Sequence, residues 1–265
     1  MLDSLSPARR RFALLLAGLL AGLLLALVVV AVRYFTDDVD AVAQDEQGPV
    51  LLVPGYGGST DSLAGLADAL VGSGRDVVVV ELAGDGTGDL DRQAEVLAAA
   101  ADEALERTGA PSVDVVGYSA GGVIARQWVR FHGGDEQARR VVTLGSPHHG
   151  TAIAELAGGT VGCPLACQQL ARDSALLNEL NAGDETPEGP VFVSVWTGDD
   201  ETVTPPESSE LEGALNISVQ SICPDESVTH GGLPDDPVVQ SLVELFLAPA
   251  EPERPSPDDC AALSG

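Results

Sequence analysis

The chain has 265 residues, 45% apolar and 20% charged, enough to bury one sizeable core; collagen-like and wholly disordered classes are excluded. Its charge is one-sided, with 41 Asp plus Glu against 13 basic residues, all of them Arg, for a net −28. Nucleic acid is excluded as a partner, because a polyphosphate needs cationic side chains to release its counterions, and anionic lipid headgroups are disfavoured on the same ground.

From Phe12 to Val32 run 21 residues without a charge. As a helix they would reach about 31 Å, the hydrocarbon thickness of a bilayer. Arg9, Arg10 and Arg11 precede the run, and Asp37, Asp38 and Asp40 follow it after Arg33. The sequence therefore predicts one transmembrane helix with its basic end in the cytoplasm and the body of the chain outside. Ala41-Val42-Ala43 offers the small-x-small pattern of a signal peptidase site, but it stands well beyond a run already long for a signal peptide. A retained anchor in the cell membrane is the expectation, with secretion as the alternative if the segment is cleaved. The expected division is a basic N-terminus at 1–11, an anchor at 12–35, a linker at 36–47, a globular domain at 48–248 and a Pro-rich acidic tail at 249–265. Beyond residue 35, 40 acids face 9 Arg, a net −31, which reads as solubility of an exported monomer rather than as a binding site.

Val50–Val53, Val77–Leu82, Val113–Gly117, Arg140–Leu144, Val191–Trp196 and Leu215–Val219 are short β-branched runs of the kind buried on both faces of a sheet. Between the first three, Leu63, Leu66, Ala67 and Leu70, and then Leu90, Ala94, Leu97, Ala101 and Ala104, recur at helical spacing. Ser59 to Asp61 supplies candidate N-caps, and Gly109 with Pro111 a helix stop. Strands alternating with helices predict an α/β fold, a mostly parallel, doubly wound sheet flanked by helices.

The third strand runs into Gly117-Tyr118-Ser119-Ala120-Gly121 and then into a helical pattern from Gly122 to Trp128. G-x-S-x-G between strand and helix is a nucleophile elbow, in which a sharp turn lifts Ser119 above the strand ends; a phosphate loop would need a following Lys. Serine needs a base, and four histidines exist. Elbows of this type belong to α/β-hydrolases, whose order along the chain is nucleophile, acid, His. His132 ends the helix that Ser119 begins, and His148 and His149 come too early, so His230, in a loop with Gly231-Gly232, is the candidate base. The acid should follow the preceding strand, where Asp199, Asp200 and Glu201 compete. An oxyanion hole needs two backbone N–H donors; the position after the nucleophile, Ala120, and Tyr56 in the loop Pro54-Gly55-Tyr56-Gly57-Gly58 are the candidates.

Thr151 to Pro190 is longer than a plain crossover needs and is broken by Gly158-Gly159 and Cys163-Pro164, as a partial cover over the strand ends would be. Cys163, Cys167, Cys223 and Cys260 suit an oxidising compartment and allow three disulfide connectivities; they lack the spacing of a zinc site. Asp235-Asp236 reads as loop solvation, the tail from Pro249 as irregular unless Cys260 ties it down, and the sequon Asn216-Ile217-Ser218 as strand. No metal or cofactor is expected.

Leu52-Val53-Pro54-Gly55-Tyr56-Gly57-Gly58, Val113 through Gly122, and Leu144-Gly145-Ser146-Pro147-His148-His149-Gly150-Thr151 together resemble the secreted bacterial triacylglycerol lipases of the compact α/β-hydrolase type, over residues 48–247. The resemblance implies ester hydrolysis through an acyl-enzyme on Ser119. It also aligns Ser194 to Asp200 with the family's acid-bearing strand end, which puts the acid at Asp200 with Asp199 in reserve, and Thr229-His230-Gly231-Gly232-Leu233 with its His loop. Pro54 stands where relatives often carry His. The expected substrate is a neutral acyl ester or lipid. The alternatives are acyl transfer or thioester cleavage by the same residues, or a membrane-anchored binding protein without turnover.

Overall fold

A computed structural model describes residues 16, 18–25, 42–158 and 162–265. The chain divides into two compact units, Met1–Val39 and Asp40–Gly265. In the first, residues 18–25 are helical, with exposed leucines. Among the described residues no helix is long and apolar enough to cross a membrane, and most of the predicted anchor at 12–35, with its flanking charges and Ala41, lies outside them.

The second unit runs β1 (Val50–Val53), α1 (Ala64–Gly72), β2 (Val77–Val79), α2 (Leu90–Thr108), β3 (Val113–Tyr118), α3 (Ala120–Phe131), β4 (Ala138–Leu144), α4 (Ala152–Gly158), α5 (Leu165–Gln169), α6 (Ala175–Leu180), β5 (Val191–Trp196), β6 (Leu215–Ser218), α7 (Val219–Ile222), α8 (Pro237–Phe246) and α9 (Cys260–Leu263). The described strands form one six-stranded sheet in the order β2-β1-β3-β4-β5-β6, parallel throughout. Alternation along the strands divides the core in two. Leu51, Val53, Val115, Val141 and Phe192 pack with Leu97 and Ala101 of α2 and Val123 and Trp128 of α3. Leu52, Val116, Val142, Val195 and Ile217 pack on the other face with Leu66 and Leu70 of α1 and Leu242 and Phe246 of α8. Each such buried Leu, Val or Phe contributes about 1.5–3 kcal/mol of transfer free energy. Because α1 and α3 leave neighbouring strands toward opposite faces, a crevice opens at the carboxyl ends of β1 and β3.

Some boundaries depart from the sequence reading. β2 stops at Val79, since β1, its one partner at this sheet edge, ends at Val53 and turns away at Pro54. β4 begins two residues earlier, at Ala138, which pairs with Val113 across a register shift. Ser59 to Asp61 forms no side-chain cap; a 3-10 turn at Thr60–Leu63 leads into α1 instead. Gly109 does end α2, at φ 69° with its N–H on the Leu105 carbonyl. Asp236 is an N-cap, its carboxylate accepting from the Val239 N–H at the start of α8, and not a solvated loop acid.

At the amino ends of the strands a fully buried carboxylate organises the chain. Asp114 accepts from Arg139 Nε at 2.9 Å and Nη2 at 2.7 Å, and from Arg75 Nη2 at 2.5 Å. The same guanidinium groups reach backbone carbonyls of Gln44, Gly48, Leu247 and Ala248, which pins the start and end of the domain together. Beyond α8 the tail is tied down as its cysteine allowed: Cys223 is bonded to Cys260, Arg140 holds the Ala250 carbonyl, and Arg254 that of Asn216. The second disulfide joins Cys163 to Cys167 at the start of α5.

Candidate active site

Between β3 and α3 the backbone turns at Ser119, with φ 53° and ψ −123°. Among the described residues it is the one non-glycine at positive φ, a conformation that costs on the order of 1–3 kcal/mol and persists only where the surroundings enforce it. Here the Ser119 N–H donates to the Leu144 carbonyl at 2.8 Å, and packing does the rest. A Cβ on Gly117 would stand 2.6 Å from the backbone of Gly121 and Gly122, and one on Gly121 would run into the Val53 carbonyl. Helix and strand approach so closely that both flanking positions must be glycine, the property the spacing predicted.

Ser119 Oγ lies 3.0 Å from His230 Nε2, and His230 Nδ1 lies 2.7 Å from Asp200 Oδ2. His230 opens a 3-10 turn, His230–Gly232, ahead of α8. Asp200 follows β5; its Oδ1 accepts from the Thr202 and Val203 N–H groups at 2.8 and 2.7 Å, so the carboxylate is aimed by its own loop. Thr197 Oγ1 donates to the Val228 carbonyl at 2.8 Å, tying the acid's strand end to the histidine's loop. Of the three competing carboxylates, Asp199 and Glu201 are exposed, and Asp199 accepts from Ser227 Oγ at 3.1 Å, away from the imidazole. Gly145, at φ 55°, is a participant that the sequence reading did not single out. A Cβ there would lie 2.6 Å from Leu233, 3.2 Å from His230 Nδ1 and 3.3 Å from Asp200 Oδ2, so the His–Asp contact closes over a bare backbone.

The two candidate oxyanion donors flank the serine. Ala120 is the first residue of α3, whose leading N–H groups have no acceptor within the helix. A Cβ on Gly55 would lie 3.0 Å from that of Ser119, which brings the loop carrying Tyr56 against the nucleophile. The described residues of the segment 151–190 are tied to loops on either side. Thr151 Oγ1 donates to the Thr202 carbonyl at 2.6 Å and the Ala152 N–H to that of Thr204 at 3.0 Å, while the Ala166 N–H donates to that of Thr87 at 3.1 Å. Its outer side presents Ile153, Leu156 and Leu165. Its base is held by α3: Arg126, buried, donates to the Leu180 and Glu185 carbonyls and to Asn181 Oδ1. Burial lowers the Arg126 pKa to about 10, partly offset by Glu185.

The other three histidines are used elsewhere. His132 pairs with Asp91, and His149 with Glu185. His148 is fully buried, with Nε2 3.0 Å from Thr143 Oγ1 and Nδ1 without a partner. Burial first, then Arg126 and His149, depress its pKa well below the ordinary imidazole value.

A serine, an imidazole and a carboxylate in this chain of contacts can move a proton off the serine and stabilise the resulting imidazolium. Comparison with known proteins agrees with the fold. Residues 48–161 match the model of the alpha/beta hydrolase fold. A triacylglycerol lipase of Vibrio cholerae is 26% identical over 185 residues, covering 62% of this chain and 58% of that protein. Among solved structures, Aspergillus fumigatus lipase B aligns with a TM-score of 0.72 at 21% identity, over 83% of this chain and 57% of its own. The mature Bacillus licheniformis lipase BlEst2 aligns at 0.64 and 19%, over 76% and 91%. The chain thus spans less than two thirds of the length of the Vibrio and Aspergillus relatives. In its sheet order and its elbow the domain has the alpha/beta hydrolase fold, and it is similar to lipases and esterases.

Proposed function

We propose that the chain is a serine hydrolase of carboxylic esters, acting on neutral acyl esters or lipids through an acyl-enzyme on Ser119. The observation that carries this reading is the contact of Ser119 Oγ with His230 Nε2 at 3.0 Å, continued to Asp200 at 2.7 Å. His230 takes the serine proton as Oγ attacks the ester carbonyl, Asp200 holds the tautomer, and the Tyr56 and Ala120 N–H groups receive the oxyanion. The same imidazole then protonates the leaving alcohol and activates the water that releases the acid. The exposed apolar side chain of Tyr56, on the loop against the serine, and those of Ile153, Leu156 and Leu165 on the segment after β4 suit an acyl substrate. So does a strongly anionic surface, which repels anionic esters.

The enzyme is further proposed to work as a monomer outside the cytoplasm, held by a single membrane helix at 12–35. The 21-residue uncharged run and the pairing of all four cysteines support that placement, since disulfides persist in oxidising compartments. The test is hydrolysis of a graded series of nitrophenyl acyl esters alongside fluorophosphonate labelling. Turnover and a label that disappears in Ser119→Ala are expected; a label that persists in that variant overturns the assignment. Offering thioesters and alcohol acceptors in the same assay separates thioesterase and acyltransferase activity from hydrolysis.

A further inference from the structure

Tyr118, the residue before the nucleophile, takes no part in the proton relay, yet it is the side chain on which the histidine rests. Its hydroxyl donates to the His230 carbonyl oxygen at 3.2 Å, and the two ring centroids are 5.2 Å apart with planes inclined by 33°. The two ends of this contact differ in rigidity. Tyr118 closes β3, where its Cα is fixed by pairing with Leu144 of β4 and its direction by alternation with Val116 on the same face. His230 stands on a three-residue turn, His230–Gly232, rather than in the sheet. Burial, and then the carboxylates of Asp200, Glu201 and Asp235, push the phenol up to about 12, so it stays a protonated donor near neutral pH.

We propose that Tyr118 is a positioning residue for ester hydrolysis: its hydroxyl holds the histidine's backbone and its ring flanks the imidazole, so that Nε2 meets Ser119 Oγ. The proposal rests on the hydrolase reading and adds to it a residue from the nucleophile's own strand. Because His230 serves both acylation and deacylation, loosening it slows turnover without altering how substrate is bound.

The test is Tyr118→Phe in the full chain, with kcat expressed per site titrated by fluorophosphonate. The expected result is a kcat per titrated site about fivefold lower, the worth of one neutral hydrogen bond, with KM for a short nitrophenyl ester unchanged. Tyr118→Met, which keeps an apolar side chain of similar length but loses ring and hydroxyl, should fall about 20-fold on the same measure. A residue needed only for core packing would reduce the titratable fraction and the melting temperature while each surviving site turned over normally, and that outcome overturns the proposal. If the wild-type chain takes no label at all, the hydrolase reading itself fails, a result distinct from a labelled Tyr118→Phe as fast as the parent.

Discussion

The two ends of the sheet use ionisable groups in opposite ways. At the amino ends of β3 and β4, Asp114 is enclosed by Arg139 and Arg75, and the donors left over are spent on the carbonyls of Gln44, Gly48, Leu247 and Ala248. At the carboxyl ends the contacts run in a line, Asp200 to His230 to Ser119, and the line stops at a hydroxyl that is partly exposed. The first arrangement saturates its charges and can only hold. The second leaves the lone pairs of one hydrogen-bonded hydroxyl open to attack a substrate, and the strained backbone at Ser119 is the expense of presenting it. Position along the strand thus decides whether a substitution is felt as stability or as rate.

The sharpest separation is expected at the serine. Ser119→Ala or His230→Ala should lower kcat by about 10⁶ while leaving the urea midpoint nearly unchanged, measured by ester hydrolysis and equilibrium unfolding on one preparation. Next comes Asp200→Asn, expected to lose about 10⁴ in kcat by presenting the imidazole in the wrong tautomer, whereas Asp199→Asn should match the parent; a reversal would move the acid by one residue. At the other end, Arg139→Met removes one of the two guanidinium partners of the buried Asp114 carboxylate and leaves it to Arg75 alone. It should cost about 3–5 kcal/mol of unfolding free energy with turnover per titrated site intact, and a loss of turnover per site there would break the division between the ends. Replacing Cys223 and Cys260 together by Ser should cost about 2–4 kcal/mol in the same unfolding assay, because the bridge closes a chain separation of 37 residues.

The smallest effect is set by pH. Burial keeps His148 neutral in the fold, while in the unfolded chain it takes up a proton below about 6.5. The unfolded state then binds more protons, so stability falls as pH drops through that value, by at most about 1.4 kcal/mol per pH unit. Urea midpoints between pH 7.5 and 5.5 should show this slope in the parent and a flatter one in His148→Gln; equal slopes would mean that His148 is not the group responsible.

Much of this was legible in the chain because it depends on local pattern. β-branched runs fixed the strands to within a few residues, and the glycines of the elbow are dictated by contacts between adjacent elements. His230 followed from chain order, since it alone comes late enough. Asp200 did not: three acids in a row are equivalent as residues, and the choice came from family resemblance. In the structure two backbone N–H groups, Thr202 and Val203, orient the Asp200 carboxylate, whose other oxygen meets His230. Tyr118 and Gly145 were unreadable for a related reason, as their roles exist only once a loop more than 80 residues further along closes over them. Asp114 was not singled out in the sequence; its burial depends on guanidinium groups 25 and 39 positions away. The disulfide pairing was open for the same reason, and Asp236 became a cap only because α8 begins where it does.

The clasp on the Gln44 and Gly48 carbonyls bears on how such a protein can be put to use. It sets the point at which the polypeptide joins the domain at the pole remote from Ser119, with Asp114 to Tyr118 of β3, about 13 Å of strand, between the two. A bead or resin coupled ahead of Gln44 therefore leaves the reactive hydroxyl facing dissolved ester.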